Sequence, residues 1–167
     1  MSAAPSFAPY HGFLQLAYVT TDFDRALAEF GQRFGVPEWL QMRDLEIQTG
    51  PERSCRAHVA LSFVGSTQLE LIQPLSGDVT VYRYRLPDQG YGLCLNHIAQ
   101  LIETEPEFEA LEASVVSKAI PIALRGSANS GQCRYFYTDQ RATLGHYVEH
   151  VWYSPEGLAF MEQIPRQ

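Results

Sequence analysis

The chain has 167 residues, enough for one well-packed domain or two small fused half-domains. A hydrophobic content of 46%, with 9 Phe, 9 Tyr and 2 Trp, supplies a core and excludes disorder along the whole length. The formal charge of −7, with no run of Lys and Arg, excludes a nucleic-acid surface, which needs clustered cations against phosphate.

Residues 13–20 are rich in β-formers and read as a first strand. Thr21, Asp22 and Asp24 then offer capping oxygens to a helix whose apolar stripe is Ala26, Leu27, Phe30 and Phe34. Gly35 closes that helix in the left-handed conformation and Pro37 prevents its continuation. Residues 40–55 read as a loop, and 57–64 as a strand that turns at Gly65-Ser66 into a hairpin partner over 67–73. Residues 76–92, with Pro87, Gly90 and Gly92, read as a connector.

The same order then returns. Leu93 to Ile102 is a strand, and Pro106 sits where a first helical turn accepts it. Phe108, Leu111 and Val115 make the stripe of that helix, and Pro121 follows as Pro37 did. Gly126 to Gly131 reads as a flexible loop, 134–138 and 146–153 as closing strands, and 154–167 as a C-terminal tail. From Gln15 to Pro37 is 22 positions and from His97 to Pro121 is 24; from Gln15 to Glu70 is 55 and from His97 to Glu149 is 52. Matching order and spacing point to a duplicated module, 13–75 and 93–153, inside a single domain.

Gln15 and His97 fall in the first strand of each half, Glu70 and Glu149 in the last. Strand alternation sets Gln15 beside Ala17 and Val19, His97 beside Ala99 and Leu101, Glu70 beside Ile72, and Glu149 beside Tyr147 and Val151. Polar groups on otherwise apolar faces need partners or a cation. One amide oxygen, one imidazole and two carboxylates suit the nitrogen and oxygen shell of a divalent metal: zinc, cobalt, nickel, manganese or magnesium. Taken singly, Gln15 also suits a buried amide bonded to backbone, His97 a satisfied core histidine, and each glutamate a strand carboxylate facing water.

The stretches QLAYVTTD (15–22), GSTQLELIQP (65–74), GLCLNHIA (92–99) and GHYVE (145–149) resemble the vicinal oxygen chelate superfamily, which groups glyoxalases, bleomycin resistance proteins and extradiol dioxygenases. Within it, the chain looks like the glyoxalase-like branch that includes methylmalonyl-CoA epimerase. The resemblance implies an α+β fold: two paired βαβββ modules forming a cupped mixed β-sheet cleft with flanking helices. It implies metal ligands at Gln15, Glu70, His97 and Glu149, one from each of four strands. It also implies an enolate stabilised by the metal, with Glu149 as the catalytic proton carrier. The expected substrate is a small molecule with vicinal oxygens, an acyl-CoA thioester among the options. The fold also serves proteins that sequester small molecules without chemistry, and that alternative stays open.

Departures from the family are informative. Glyoxalases that act on glutathione adducts carry an arginine, an asparagine and a second arginine where this chain has Val19, Pro74 and Leu93, so a glutathione product is disfavoured. The epimerases keep a glutamate on the second strand, near Arg53 or Ser54 here; Glu52 is close but out of register without a bulge. Extradiol dioxygenases hold iron with two histidines and one carboxylate, whereas Gln15 leaves one histidine in this shell, so oxygen chemistry is the weaker reading.

His146-Tyr-Val-Glu149-His150 matches a zinc-protease pattern that works on a helix; in a strand both histidines point away from Glu149, so the match is accidental. Arg83, Arg85, Arg125 and Arg134 are candidates to grip a substrate anion, or solvated surface cations. Tyr82, Tyr84, Tyr91, Tyr135 and Tyr137 are candidates for the cleft wall, or plain core. Cys55, Cys94 and Cys133 lack the spacing of a metal or disulfide frame and read as reduced thiols. Met1 to Pro9 carries no export signal, and no run reaches a membrane span, so the expected setting is cytoplasmic. Open sheet edges make a homodimer the expected assembly.

Overall fold

The computed structural model describes residues 10–167, so the reading of Met1 to Pro9 lies outside the described residues. The first module runs β1 (Phe13–Thr20), α1 (Phe23–Phe34), β2 (Leu40–Gly50), β3 (Arg53–Val64) and β4 (Thr67–Gly77). The second runs β5 (Leu93–Leu101), α2 (Glu105–Ser117), β6 (Ile122–Ala128), β7 (Cys133–Asp139), a short α3 (Arg141–Leu144) and β8 (Tyr147–Tyr153), and α4 (Pro155–Met161) follows. All eight strands form one sheet in the order β2-β3-β4-β1-β5-β8-β7-β6. In each module the last strand lies parallel to the first, and β1 and β5 join the modules antiparallel. The fold is therefore α+β with a cupped mixed sheet. Its two ends approach through Gln48, whose side-chain oxygen accepts from Ser127 N at 2.9 Å and whose carbonyl accepts from Tyr135 OH at 2.9 Å.

Both helices form where expected, although Phe34, read into the stripe of α1, is 58% exposed. Asp22 accepts from Arg25 N at the start of α1, and Gly35 ends it at φ 72°. Phe23, Ala26 and Phe30 pack on Ala60, Leu69 and Leu71. On α2, Thr104 and Glu107 make a reciprocal capping box, and Phe108, Leu111 and Val115 pack on Phe136. The helices thus cover the outer face of the sheet. Its inner face carries Val19, Val59, Ile72, Ala99, Tyr137 and Val151.

Several segments differ from expectation. Residues 40–55 are not a loop: β2 and the start of β3 occupy them, turning at Pro51 and Glu52. β2 is an end strand wet along most of its length, so it lacks the alternation that marks a half-buried strand. β4 continues past Gln73 through Pro74, which gives no N–H to the ladder; a register shift between Arg56 and Ala57 lies opposite. It ends at Gly77 (φ 83°), where a Cβ would sit 2.5 Å from Ser54 O. Gly126 to Gly131 is only partly loop, since β6 extends through Ala128. The connector is not a surface strap, because Val81 and Tyr82 are buried in the inner core. The C-terminal tail is structured too: after α4, Phe63 N donates to Pro165 O at 2.8 Å and Gln167 N to Phe63 O at 2.9 Å. No helix among the described residues is long and apolar enough to cross a membrane.

Candidate functional site

Strand register builds the site. Ala17 on β1 pairs with Glu70 on β4 and with His97 on β5. Ala99 on β5 pairs with Gln15 on β1 and with Glu149 on β8. Exchanging the modules reproduces this pattern, so all four polar residues face the inside of the cup. Ala17 and Ala99 are fully buried, and their small side chains leave room for long neighbours to lean together.

Three of the four meet. His97 Nε2 lies 3.3 Å from Glu70 Oε2, 3.4 Å from Glu149 Oε2 and 3.2 Å from Tyr137 OH. The other ring nitrogen, Nδ1, is 3.0 Å from Asn96 Oδ1. Asn96 Nδ2 donates to Val81 O, which turns its oxygen toward His97 as an acceptor. The neutral ring therefore carries its proton on Nδ1; in the protonated ring Nε2–H also points at the carboxylates, and a cation held by Nε2 would displace that proton. Burial pulls the His97 pKa down, but hydrogen bonds and charge from Glu149 and Glu70 outweigh it and raise it to about 9. Burial raises Glu149 above the usual carboxylate range, with His97 opposing the shift. Burial likewise pushes the Tyr137 hydroxyl well up, so it stays a neutral donor.

Gln15 sits on the same inner face but does not touch this group. Its Nε2 donates to Gln68 Oε1 at 2.6 Å. Gln15 Oε1 and Gln68 Nε2 are buried without a hydrogen-bond partner among the described residues. An orphaned amide oxygen is costly in a core unless something electropositive meets it.

These donors fit a divalent cation. Nitrogen and oxygen ligands bonded at about 2.1 Å to one ion stand roughly 3.0–3.4 Å from each other, close to the spacing of His97 from both glutamates. Among the described residues no three His, Cys, Asp or Glu side chains form a ready cage. The fit rests instead on the donor chemistry, the oriented imidazole and the unmet Gln15 oxygen.

Above the group opens a cavity of about 760 Å³, lined by Glu70, Glu149, Val59, Leu61, Ile72 and the rings of Tyr82, Tyr135, Tyr137 and Tyr153. Two candidate anion grips are elsewhere. Arg134 precedes the inward-facing Tyr135 and so points outward, where Nη1 meets Glu105 at 2.7 Å and Glu109 at 3.2 Å. Arg125 is held at 2.5 Å by Glu112, also on α2. Arg83 and Arg85 are exposed beyond β4. Glu52 sits in the β2–β3 turn at φ 56°, at the cavity mouth rather than its floor. His150 faces α2, stacked on Phe136 at 4.6 Å, away from Glu149. Burial raises all three thiols, Cys55 to about 11, so none is a ready nucleophile.

Two members of the group were not singled out in the sequence. Tyr137 stood there as cleft wall or plain core, although strand pairing sets it beside Glu149. Asn96 drew no attention; its place immediately before the histidine was the available signal.

Residues 14–136 match the family model of the Glyoxalase/Bleomycin resistance protein/Dioxygenase superfamily, a stretch that holds Gln15, Glu70 and His97 and stops before Glu149. No curated protein matches the sequence. Among solved structures, the chain is similar to methylmalonyl-CoA epimerase from Mycobacterium tuberculosis, with 15% identity, TM-score 0.58, and 89% of this chain and 91% of that chain covered. It is similar to a Streptomyces coelicolor methylmalonyl-CoA epimerase variant in complex with 2-nitronate-propionyl-CoA, at 15% identity and TM-score 0.56 over 86% of this chain and 98% of that one. It is also similar to a hypothetical protein from Bacillus halodurans C-125, at 14% identity and TM-score 0.55 over 85% and 94%. At such identities the likeness speaks for the fold. With the paired modules, the cup and the match over most of its length, this chain belongs to the Glyoxalase/Bleomycin resistance protein/Dioxygenase superfamily.

Proposed function

We propose that the chain is a divalent-metal-dependent enzyme that moves a proton on the carbon beside a carbonyl, as an isomerase, epimerase or lyase. The carrying observation is the approach of Glu70 and Glu149 to one buried imidazole nitrogen whose tautomer Asn96 sets. In this reading Glu70, His97 and Glu149 hold the ion, and the unmet Gln15 oxygen is the fourth donor. A divalent cation bound there supplies charge stabilisation for two neighbouring substrate oxygens. Glu149 would take the proton from the adjacent carbon and return it; burial favours its protonated form, and the charge of a bound cation would act in the opposite sense. The Tyr137 hydroxyl lies within hydrogen-bond reach of the same group, 3.2 Å from His97 Nε2. The structural likeness to epimerases supports the epimerase end of this class.

One observation favours a second reading, a binding protein without chemistry: the Gln15 amide is engaged by Gln68 rather than by the His97 group. Metal analysis separates the two. Protein purified without chelator is expected to carry about one equivalent of divalent metal, and His97→Ala and Glu149→Ala to lose it. Full occupancy in both variants would show the site to be misassigned. Ion at a hundredfold over its Kd is expected to add about 2.7 kcal/mol of stability, which chelator removes; a purely sequestering cup melts identically with and without chelator.

A further inference from the structure

We infer that the cup selects a compact, mainly apolar molecule in preference to an anionic carrier-bound thioester. This rests on the site proposed above and narrows its substrate. A cavity of about 760 Å³ is of a size to enclose a molecule of modest size. One side is hydrocarbon, from Val59, Leu61 and Ile72. On the other side the tyrosine hydroxyls are spoken for: Tyr137 meets His97, and Tyr135 donates to Gln48 O. Those side chains therefore offer the cavity ring carbon more than polar oxygen.

Charge points the same way. Glu70 and Glu149 lie at the floor, where oxygens of a substrate would meet the bound ion. Among the described residues that line the cavity Arg53 is the one cation, and its Nη1 meets Asp78 Oδ2 at 3.1 Å. Arg125 and Arg134 lie on the outer face, engaged by glutamates of α2. A thioester tail bearing several phosphates would meet Glu52 at the mouth and little to replace its hydration. This sets the chain apart from a structural neighbour described in complex with 2-nitronate-propionyl-CoA.

The test is calorimetric titration of wild-type protein, both Co2+-loaded and metal-free, with 2-hydroxyacetophenone and with propionyl-CoA. The aromatic ketone is expected to bind at least tenfold more tightly than the thioester in the loaded protein, and Leu45→Arg, which sets a cation in the lining away from Glu70 and Glu149, to narrow that ratio. Equal affinities, tighter binding of the thioester, or no binding of the ketone at millimolar concentration would overturn the inference. Cobalt content of the same samples reads the metal site independently: a protein that ranks the ligands as expected yet takes up no cobalt sinks the enzyme reading and leaves the cup's preference standing.

Discussion

His97 and His150 lie on neighbouring strands of one sheet and meet opposite electrostatics. His97 faces the cup, where two carboxylates hold its pKa up at about 9. His150 faces α2, with Nδ1 at 2.9 Å from Gln100 Oε1 and Nε2 at 3.3 Å from Thr138 Oγ1, and burial lowers its pKa to about 4. An unfolded histidine titrates near 6.5, so between there and about 4 the unfolded chain binds a proton that the folded one refuses. The contribution of neutral His150 is therefore complete above pH 6.5 and is lost as pH falls through about 4, a loss of about 3 kcal/mol. Urea midpoints measured down to pH 4.5 check this: His150→Gln is expected to lose distinctly less stability on acidification than wild type, and identical slopes would refute it. Strand alternation alone separated these two histidines in the sequence. It could not tell that Tyr137 and Asn96 would be the partners of His97, because one is supplied across the sheet and the other depends on the backbone of a segment once read as connector.

The helices are the most legible elements, because their signals are local. Pro106 marks the first turn of α2, where the structure adds the Thr104–Glu107 capping box, and Asp22 and Gly35 bracket α1. Thr104→Ala is expected to lower stability by about 1 kcal/mol, seen as a shift in urea midpoint, with metal content unchanged. A loss of metal in that variant would mean that α2 does more than back the sheet. Strands were legible in proportion to their burial. β5 and β8, buried over much of their length, were recognised nearly whole, whereas β2, wet over most of its length, looked like a loop. Nor did α4 stand out, although Ser154 caps it by accepting from Gly157 N at 3.2 Å and Pro155 opens it. Such a short helix carries too little apolar pattern to be told from a turn.

At the scale of the molecule, the chain closes on itself. The C-terminal segment leaves the second module and returns to β3 of the first, burying Ile164 and bonding Phe63 through both its N–H and its carbonyl. Deleting Ile164–Gln167 is expected to cost about 3 kcal/mol, from one buried aliphatic side chain and the lost backbone bonds, read as a fall in thermal midpoint. An unchanged midpoint would show this return to be incidental. The sheet ends also meet through Gln48, Ser127 and Tyr135, so edges that a homodimer was expected to cover are partly occupied within the chain. A homodimer is thus a proposal for light scattering to decide, and it calls for a surface other than this seam.

By itself the sequence determined the module order, the two long helices and the four strand positions where polar residues interrupt apolar faces, because caps and period-two alternation act between near neighbours. Only the tertiary structure decided that Glu70 and Glu149 converge on His97 while Gln15 turns to Gln68. Those distances depend on pairing between strands far apart in the chain, including the β1–β5 register shift beside Ala17, and no local pattern encodes a register shift.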